Sequence, residues 1–334
     1  MPVRSFRRSF PANFTPHNSS FRPAFLVAAA ISFSATSARA QLTLTPAGVS
    51  RGFGLQTFAT GFGTGSLGPE GVAYAPDGTV LVANSGHGGN LQRFQNINDQ
   101  SAITTPILAS YGGDNANGLG YLGTTAYMSQ YQSGRVVQLN QDGTLNRVVT
   151  TGLSGPLGIA PNPLTGRLFV GLANGLINLD PISGSFTTLV SGVSADGVTL
   201  SPDGSTVYAA IRGGTNAQSL IGYNTTSGAI VYNSGVLSGG IDGTALGFGP
   251  FQGFIYANMN SGTVLELNLA LPGSAPITIA NNGSRGDMVG FDPSGSGDML
   301  ITQSDRIIRL TGIPAPSTAA LLGLGGLMSA RRRR

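Results

Sequence analysis

The sequence predicts an all-β fold, a six-bladed β-propeller of four-stranded blades closed by an N-terminal strand. Three observations carry this: a repeated strand–turn–strand unit, the even spacing of its copies, and an unpaired strand at each end of the repeats. The clearest copy is Asp196-Gly197-Val198-Thr199-Leu200-Ser201-Pro202-Asp203-Gly204, followed by Thr206-Val207-Tyr208-Ala209-Ala210. An apolar strand meets a Pro-Asp-Gly turn, in which Pro presets φ and Gly accepts a positive φ, and a second apolar strand returns. Glu70–Ala83 is a near copy, and Asp242–Phe248 and Asp287–Pro293 open two more. Asn117–Tyr121 and Leu157–Pro161 complete the series. Aligned on their first residues (70, 117, 157, 196, 242 and 287), the units step by 47, 40, 39, 46 and 45 residues, the length of one blade.

Each repeat reads as an inner, second, third and outer strand. In repeat one these are 72–75, 79–84, 90–95 and 103–109; in repeat four they are 198–201, 206–211, 219–223 and 229–233. Repeat six supplies 288–291, 299–302 and 306–310 and then stops without an outer strand. Leu55–Thr60 is an outer strand without a repeat, after a polar, Gly-containing lead-in over 41–54. Pairing the two closes the ring and removes exposed sheet edges.

Composition agrees with a turn-rich β fold. Among 334 residues there are 51 Gly, no Cys and no Trp. All 18 basic residues are Arg. Nine lie in the body with all 14 acids, which leaves the body at −5. Such a body has no clustered basic surface for nucleic acid and no lysine chemistry.

Both ends differ from the body. Residues 1–40 combine an Arg-bearing start, the apolar run Ala24–Ile31 and the cleavage pattern Ala38-Arg39-Ala40, which predicts an export signal. An Arg pair, Arg7-Arg8, leaves Sec and twin-arginine export both open. Residues 313–334 run from Pro314-Ala315-Pro316 through the apolar stretch Ala319–Ala330 to Arg331–Arg334. An apolar segment before a basic cluster is a topogenic pattern, shorter than a full membrane helix.

A propeller places the first residue of each inner strand at the mouth of its central channel. The six are Glu70, Asn117, Leu157, Asp196, Asp242 and Asp287. Converging carboxylates raise one another's pKa or recruit a cation. Glu70, Asn117, Asp196, Asp242 and Asp287 are therefore candidate ligands for a divalent metal, with Ca²⁺ the natural guest for oxygen donors. The other reading makes these Asp-Gly and Asn-Gly pairs ordinary turn or capping residues. Asp77 and Asp203, in the Pro-Asp-Gly turns, belong to the opposite end and read as structural. Loops on the mouth side carry His87, Tyr131, Asn174, Arg212, Asn258, Asn260 and Gln303. His87 and Asp242 are the candidate catalytic acid–base groups. Arg212 reads as a partner for a ring carboxylate.

The C-terminal tail resembles a PEP-CTERM sorting signal, with Ala315 where that family carries Glu. The resemblance implies a Gram-negative envelope, transient membrane insertion through the tail, processing by an exosortase, and delivery to the cell surface or an extracellular polysaccharide matrix. Residues 55–312 resemble the SMP-30/gluconolactonase group and neighbouring NHL and lactonase-like six-bladed propellers. Glu70, Asp196 and Asp242 match the positions at which the lactonases hold a divalent cation, with Asp196 in place of Asn. The lactonases' substrate segment is replaced by Gly155-Pro156-Leu157-Gly158. The expected function is an exported binding or structural propeller with polysaccharide or envelope-protein partners. The alternative is a secreted metal-dependent lactonase-like hydrolase or lyase, and an extracytoplasmic sensor is a third reading.

Overall fold

The structure, a computed structural model, describes residues 41–63, 67–85, 88–112 and 116–312. The expected export signal, the sorting tail and His87 lie outside the described residues.

Six antiparallel sheets form the six blades of the propeller. Blade 1 comprises Pro69–Tyr74, Val80–Asn84, Asn90–Phe94 and Ile107–Ser110. Blade 2 runs from Ala116–Leu122 to Leu145–Thr150, blade 3 from Pro156–Asn162 to Phe186–Ser191, and blade 4 from Val193–Leu200 to Ile230–Val236. Blade 5 runs from Ile241–Leu246 to Ile277–Asn281. Blade 6 contains Val289–Phe291, Met299–Thr302 and Arg306–Gly312. Its fourth strand is Phe53–Thr60, which pairs antiparallel with Arg306–Gly312, Leu55 opposite Leu310. The ring closes as the orphan strands require.

Apolar side chains between blades form the core. Phe58, Phe62, Phe94, Val80 and Leu300 fill the joint between blades 6 and 1. Phe53 stacks on Phe251 at 4.6 Å between blades 5 and 6, with Tyr256 and Phe291 packed around them. Closure is therefore a hydrophobic joint as well as a hydrogen-bonded one.

Two segments depart from expectation. The lead-in over 41–54 is structured. Thr43–Leu44 adds a fifth strand to blade 5, and a short helix, Pro46–Ser50, follows, capped by the Thr45 hydroxyl. Arg51 pairs at 2.7 Å with the buried Glu266 of blade 5, and Glu266 also accepts from the Tyr256 hydroxyl. Polar composition concealed this, because the segment docks through single residues and not through an apolar run. The outer strand of blade 1 begins later than expected, at Ile107. Residues 98–105 instead form a loop held by the Gln92 amide, which donates to the carbonyls of Ala102 and Thr105. Gln100–Ser101 in that loop pairs with the closing strand.

Candidate functional site

All six inner strands begin at one mouth, and the glycines that follow the anchors explain how they come so close. A Cβ on Gly71, Gly118, Gly158, Gly197 or Gly243 would lie under 3.0 Å from the backbone carbonyl oxygen of the next blade's anchor residue. These glycines sit in strands, and none has a positive φ. The Asp-Gly pairs of the mouth are thus close-approach sites and not turns. In blade 6 the corresponding residue is Met288, which is buried against Phe58 and Val72.

The structure brings three of the predicted acids into one electrostatic cluster with two arginines. Asp196, Arg212, Asp242, Arg285 and Asp287 alternate in sign across blades 4, 5 and 6. Arg212 stands 2.7 Å from Asp196 and 3.7 Å from Asp242. Arg285 stands 3.5 Å from Asp242 and 2.5 Å from Asp287. On the other side of the ring, the Asn117 amide donates to Glu70 at 3.4 Å. Leu157 supplies the one apolar anchor and borders a cavity of about 390 Å³ with Tyr131, Ser194, Arg212, Gln218, Ile241 and Asn260.

Burial dominates the acids. The Asp242 side chain is fully buried, and neither of its oxygens receives a hydrogen bond. Two guanidiniums lie within 4 Å of it. Loss of hydration, reinforced by Asp196 and Asp287, outweighs them and holds its carboxyl far above the ordinary range. Asp287 is raised for the same first reason, with Arg285 opposing. Burial pushes Glu70 up to about 7, against a hydrogen bond from Ser85. The cause of the desolvation is visible in sequence order. Two residues beyond the anchors stand Val72, Leu119, Ile159, Val198, Thr244 and Val289, so the strands turn largely apolar directly after the ring.

The remaining predicted loop residues take different parts. Asn258 is buried and donates to the carbonyls of Met288 and Thr302, which makes it a joint between blades 5 and 6. Gln303 accepts from the Ser284 backbone at 2.6 Å and shapes the loop that carries Arg285. Asn260 accepts from Arg285 Nε at 2.8 Å, and Tyr131 borders the cavity. Asn174 is exposed, and its carbonyl accepts from the Gly192 backbone. Arg212 pairs with a ring carboxylate, as the sequence suggested. Arg285 is the functional residue that sequence reasoning missed. Its signal was its place two residues before the anchor Asp287, in Ser284-Arg285-Gly286-Asp287.

The mouth offers oxygen donors of the kind Ca²⁺ takes. In this arrangement, however, the carboxylates of blades 4 to 6 are matched to Arg212 and Arg285. Among the described residues no three acidic or histidine side chains stand together as an ion would need. The residues present do not fit a divalent cation while both arginines are in place.

Comparison with solved structures gives the fold its setting. The chain is similar to a gluconolactonase from Xanthomonas campestris, with a TM-score of 0.63 and 16% identity over 81% of this chain and 94% of that one. The likeness is one of fold. Virginiamycin B lyase from Staphylococcus aureus aligns with a TM-score of 0.52 and 14% identity, over 78% of this chain and all of that one. A chain of a nidogen/laminin complex aligns with a TM-score of 0.53 and 16% identity, over 65% of this chain and 84% of that one. These neighbours include enzymes and a chain from a protein–protein complex, so the propeller alone does not choose between catalysis and binding. No protein-family model matches the chain, and no curated protein matches it.

Proposed function

We propose that this is an exported cell-surface or matrix propeller whose channel mouth binds a neutral, polyhydroxylated, sugar-like ligand. The observation that carries the reading is the lining of the 390 Å³ cavity, which combines the half-exposed Arg212 side chain with Gln218, Asn260 and Tyr131. Donors, acceptors and an aromatic face around a small concavity are what a saccharide requires. The charge pattern supports a neutral ligand. Arg212 and Arg285 are balanced by the acids behind them, so the mouth presents hydrogen-bonding groups and not a strong net field. The export signal and sorting tail read from the sequence support placement in an envelope rich in polysaccharide.

Titration calorimetry against mono- and disaccharides and soluble exopolysaccharide tests this reading. The expected result is saturable binding that weakens at least roughly tenfold in Arg212→Ala and in Gln218→Ala, the scale of one lost hydrogen bond to a charged group. Absence of binding across the panel overturns it.

A second reading, hydrolysis of a lactone or related ester, is supported by Glu70. This carboxyl is buried beside Asn117 and titrates near neutrality, the condition for a general base. Turnover of a lactone panel that Glu70→Gln abolishes would favour it over simple binding.

A further inference from the structure

We propose that Arg212 and Arg285 are the resident cations of the mouth: they stand where a divalent ion would sit among Asp196, Asp242 and Asp287, and Ca²⁺ enters only when they are removed. The proposal is independent of the ligand reading above.

Three observations lead there. The first is the order of the charges. Acid, base, acid, base, acid follow one another across three blades, and each guanidinium reaches two carboxylates from different blades. A divalent ion bridging carboxylates would make those same inter-blade links. The second is burial. The side chains of Asp196, Asp242 and Asp287 are 7%, 0% and 13% exposed, while Arg212 and Arg285 are 42% and 28% exposed on the solvent side. Carboxylates taken this far from water need a counter-cation or a proton. Arg212 and Arg285 supply the first at Asp196 and Asp287. The third is the state of Asp242, buried with both oxygens unpartnered by any hydrogen-bond donor and lying between the two guanidiniums. It is the one ring oxygen pair left over, and a cation admitted to the mouth would take it as a ligand.

The arginines are also held in place. Asn260 accepts from Arg285 Nε at 2.8 Å, and the loop that carries Arg285 is tied to Gln303 and Ser304. The Arg212 carbonyl accepts from the Gln218 amide at 3.1 Å. A pinned planar guanidinium with several donors suits two carboxylates at once, which a hydrated ammonium does not.

The test compares the full chain with Arg285→Met and with the Arg212→Met/Arg285→Met pair, by thermal melting in EDTA and in millimolar CaCl₂ and by calorimetric titration with CaCl₂. The parent protein is expected to melt at the same temperature in both buffers and to give no heat of binding. The double variant is expected to melt lower in EDTA, to recover by several degrees in Ca²⁺, and to bind Ca²⁺ saturably. Adding Asp242→Asn is expected to remove that recovery. If the double variant folds only when Ca²⁺ is present, the result counts equally in favour. Arg285→Met, which keeps Arg212, is expected to show a smaller Ca²⁺ shift in the same direction. Saturable Ca²⁺ binding by the parent chain overturns the proposal. So does a pair of arginine variants, single and double, that neither bind Ca²⁺ nor respond to it.

Discussion

Asp-Gly pairs stand at both ends of these blades, and the two ends use them for opposite reasons. At the turns, Asp203 accepts from the Ser205 backbone at 3.1 Å and from the Ser201 hydroxyl at 2.5 Å, in full contact with solvent. Those hydrogen bonds favour its charged form and bring its pKa down to about 2. Asp77 is lowered in the same way by Thr79. At the mouth, Asp242 and Asp287 are held above the ordinary range by burial. The glycines differ just as sharply. Gly78 has φ +82° and open space around its Cβ position. Gly197 has none of that strain and no room, since a methyl there would stand 2.5 Å from the Asp242 carbonyl oxygen. A dipeptide therefore reports its local need only once its neighbours in space are known.

The largest effect expected from breaking this contrast comes from alanine in the ring. Gly197→Ala forces Cβ into the backbone of blade 5 and is expected to cost about 3 kcal/mol or more, as overpacked positions do. Gly78→Ala adopts a left-handed conformation without a clash and is expected to cost about 1 kcal/mol. Denaturant unfolding of both variants measures the difference, and equal losses would remove the distinction.

Next comes pH. Glu70 binds its proton more tightly folded than unfolded, since its pKa rises from 4.5 to about 7. The folded state therefore holds more protons over that interval, and stability falls as pH climbs through it. The span corresponds to roughly 3 kcal/mol for this one buried group. Asp203 has the opposite sign: its contribution is present above the ordinary Asp range and is lost as pH falls toward 2. Melting temperature should peak between the two limbs, and Glu70→Gln should make the neutral one shallower, where the raised Asp242 and Asp287 also contribute, while leaving the acid one alone.

A smaller effect separates the acids of the mouth from one another. Asp196→Asn removes the 2.7 Å partner of Arg212 and is expected to cost roughly 1–2 kcal/mol. Asp242→Asn replaces a carboxyl that must take up a proton on folding at neutral pH, and is expected to raise stability there, with the gain fading as pH falls into the ordinary Asp range. The smallest change of all is expected for Asp203→Asn, at the exposed turn.

The repeat, its period and the closing strand were legible in the sequence because each is a local signal. Pro-Asp-Gly marks a turn, alternation marks a strand, and an unpaired strand at each end implies a joint. That Glu70, Asn117, Asp196, Asp242 and Asp287 open inner strands at one mouth followed from that symmetry alone, but their division into a Glu70–Asn117 pair and a separate acid–arginine cluster did not. What was hidden depends on space and not on order. Arg285 stands two residues before its anchor, where no other repeat carries an Arg, so the period gave it no weight. The role of Gly197 looks like that of Gly78 until the next blade is in view. Arg51 works only because Glu266, more than two hundred residues away, is buried beneath it.

A carboxyl ¹³C titration, resolving individual Asp and Glu side chains, measures the central contrast most directly. Glu70 should show its midpoint near 7 and Asp203 near 2, with Asp242 still protonated at neutral pH. Midpoints for all three in the ordinary carboxylate range, about 4, would contradict a desolvated mouth set against hydrogen-bonded turns.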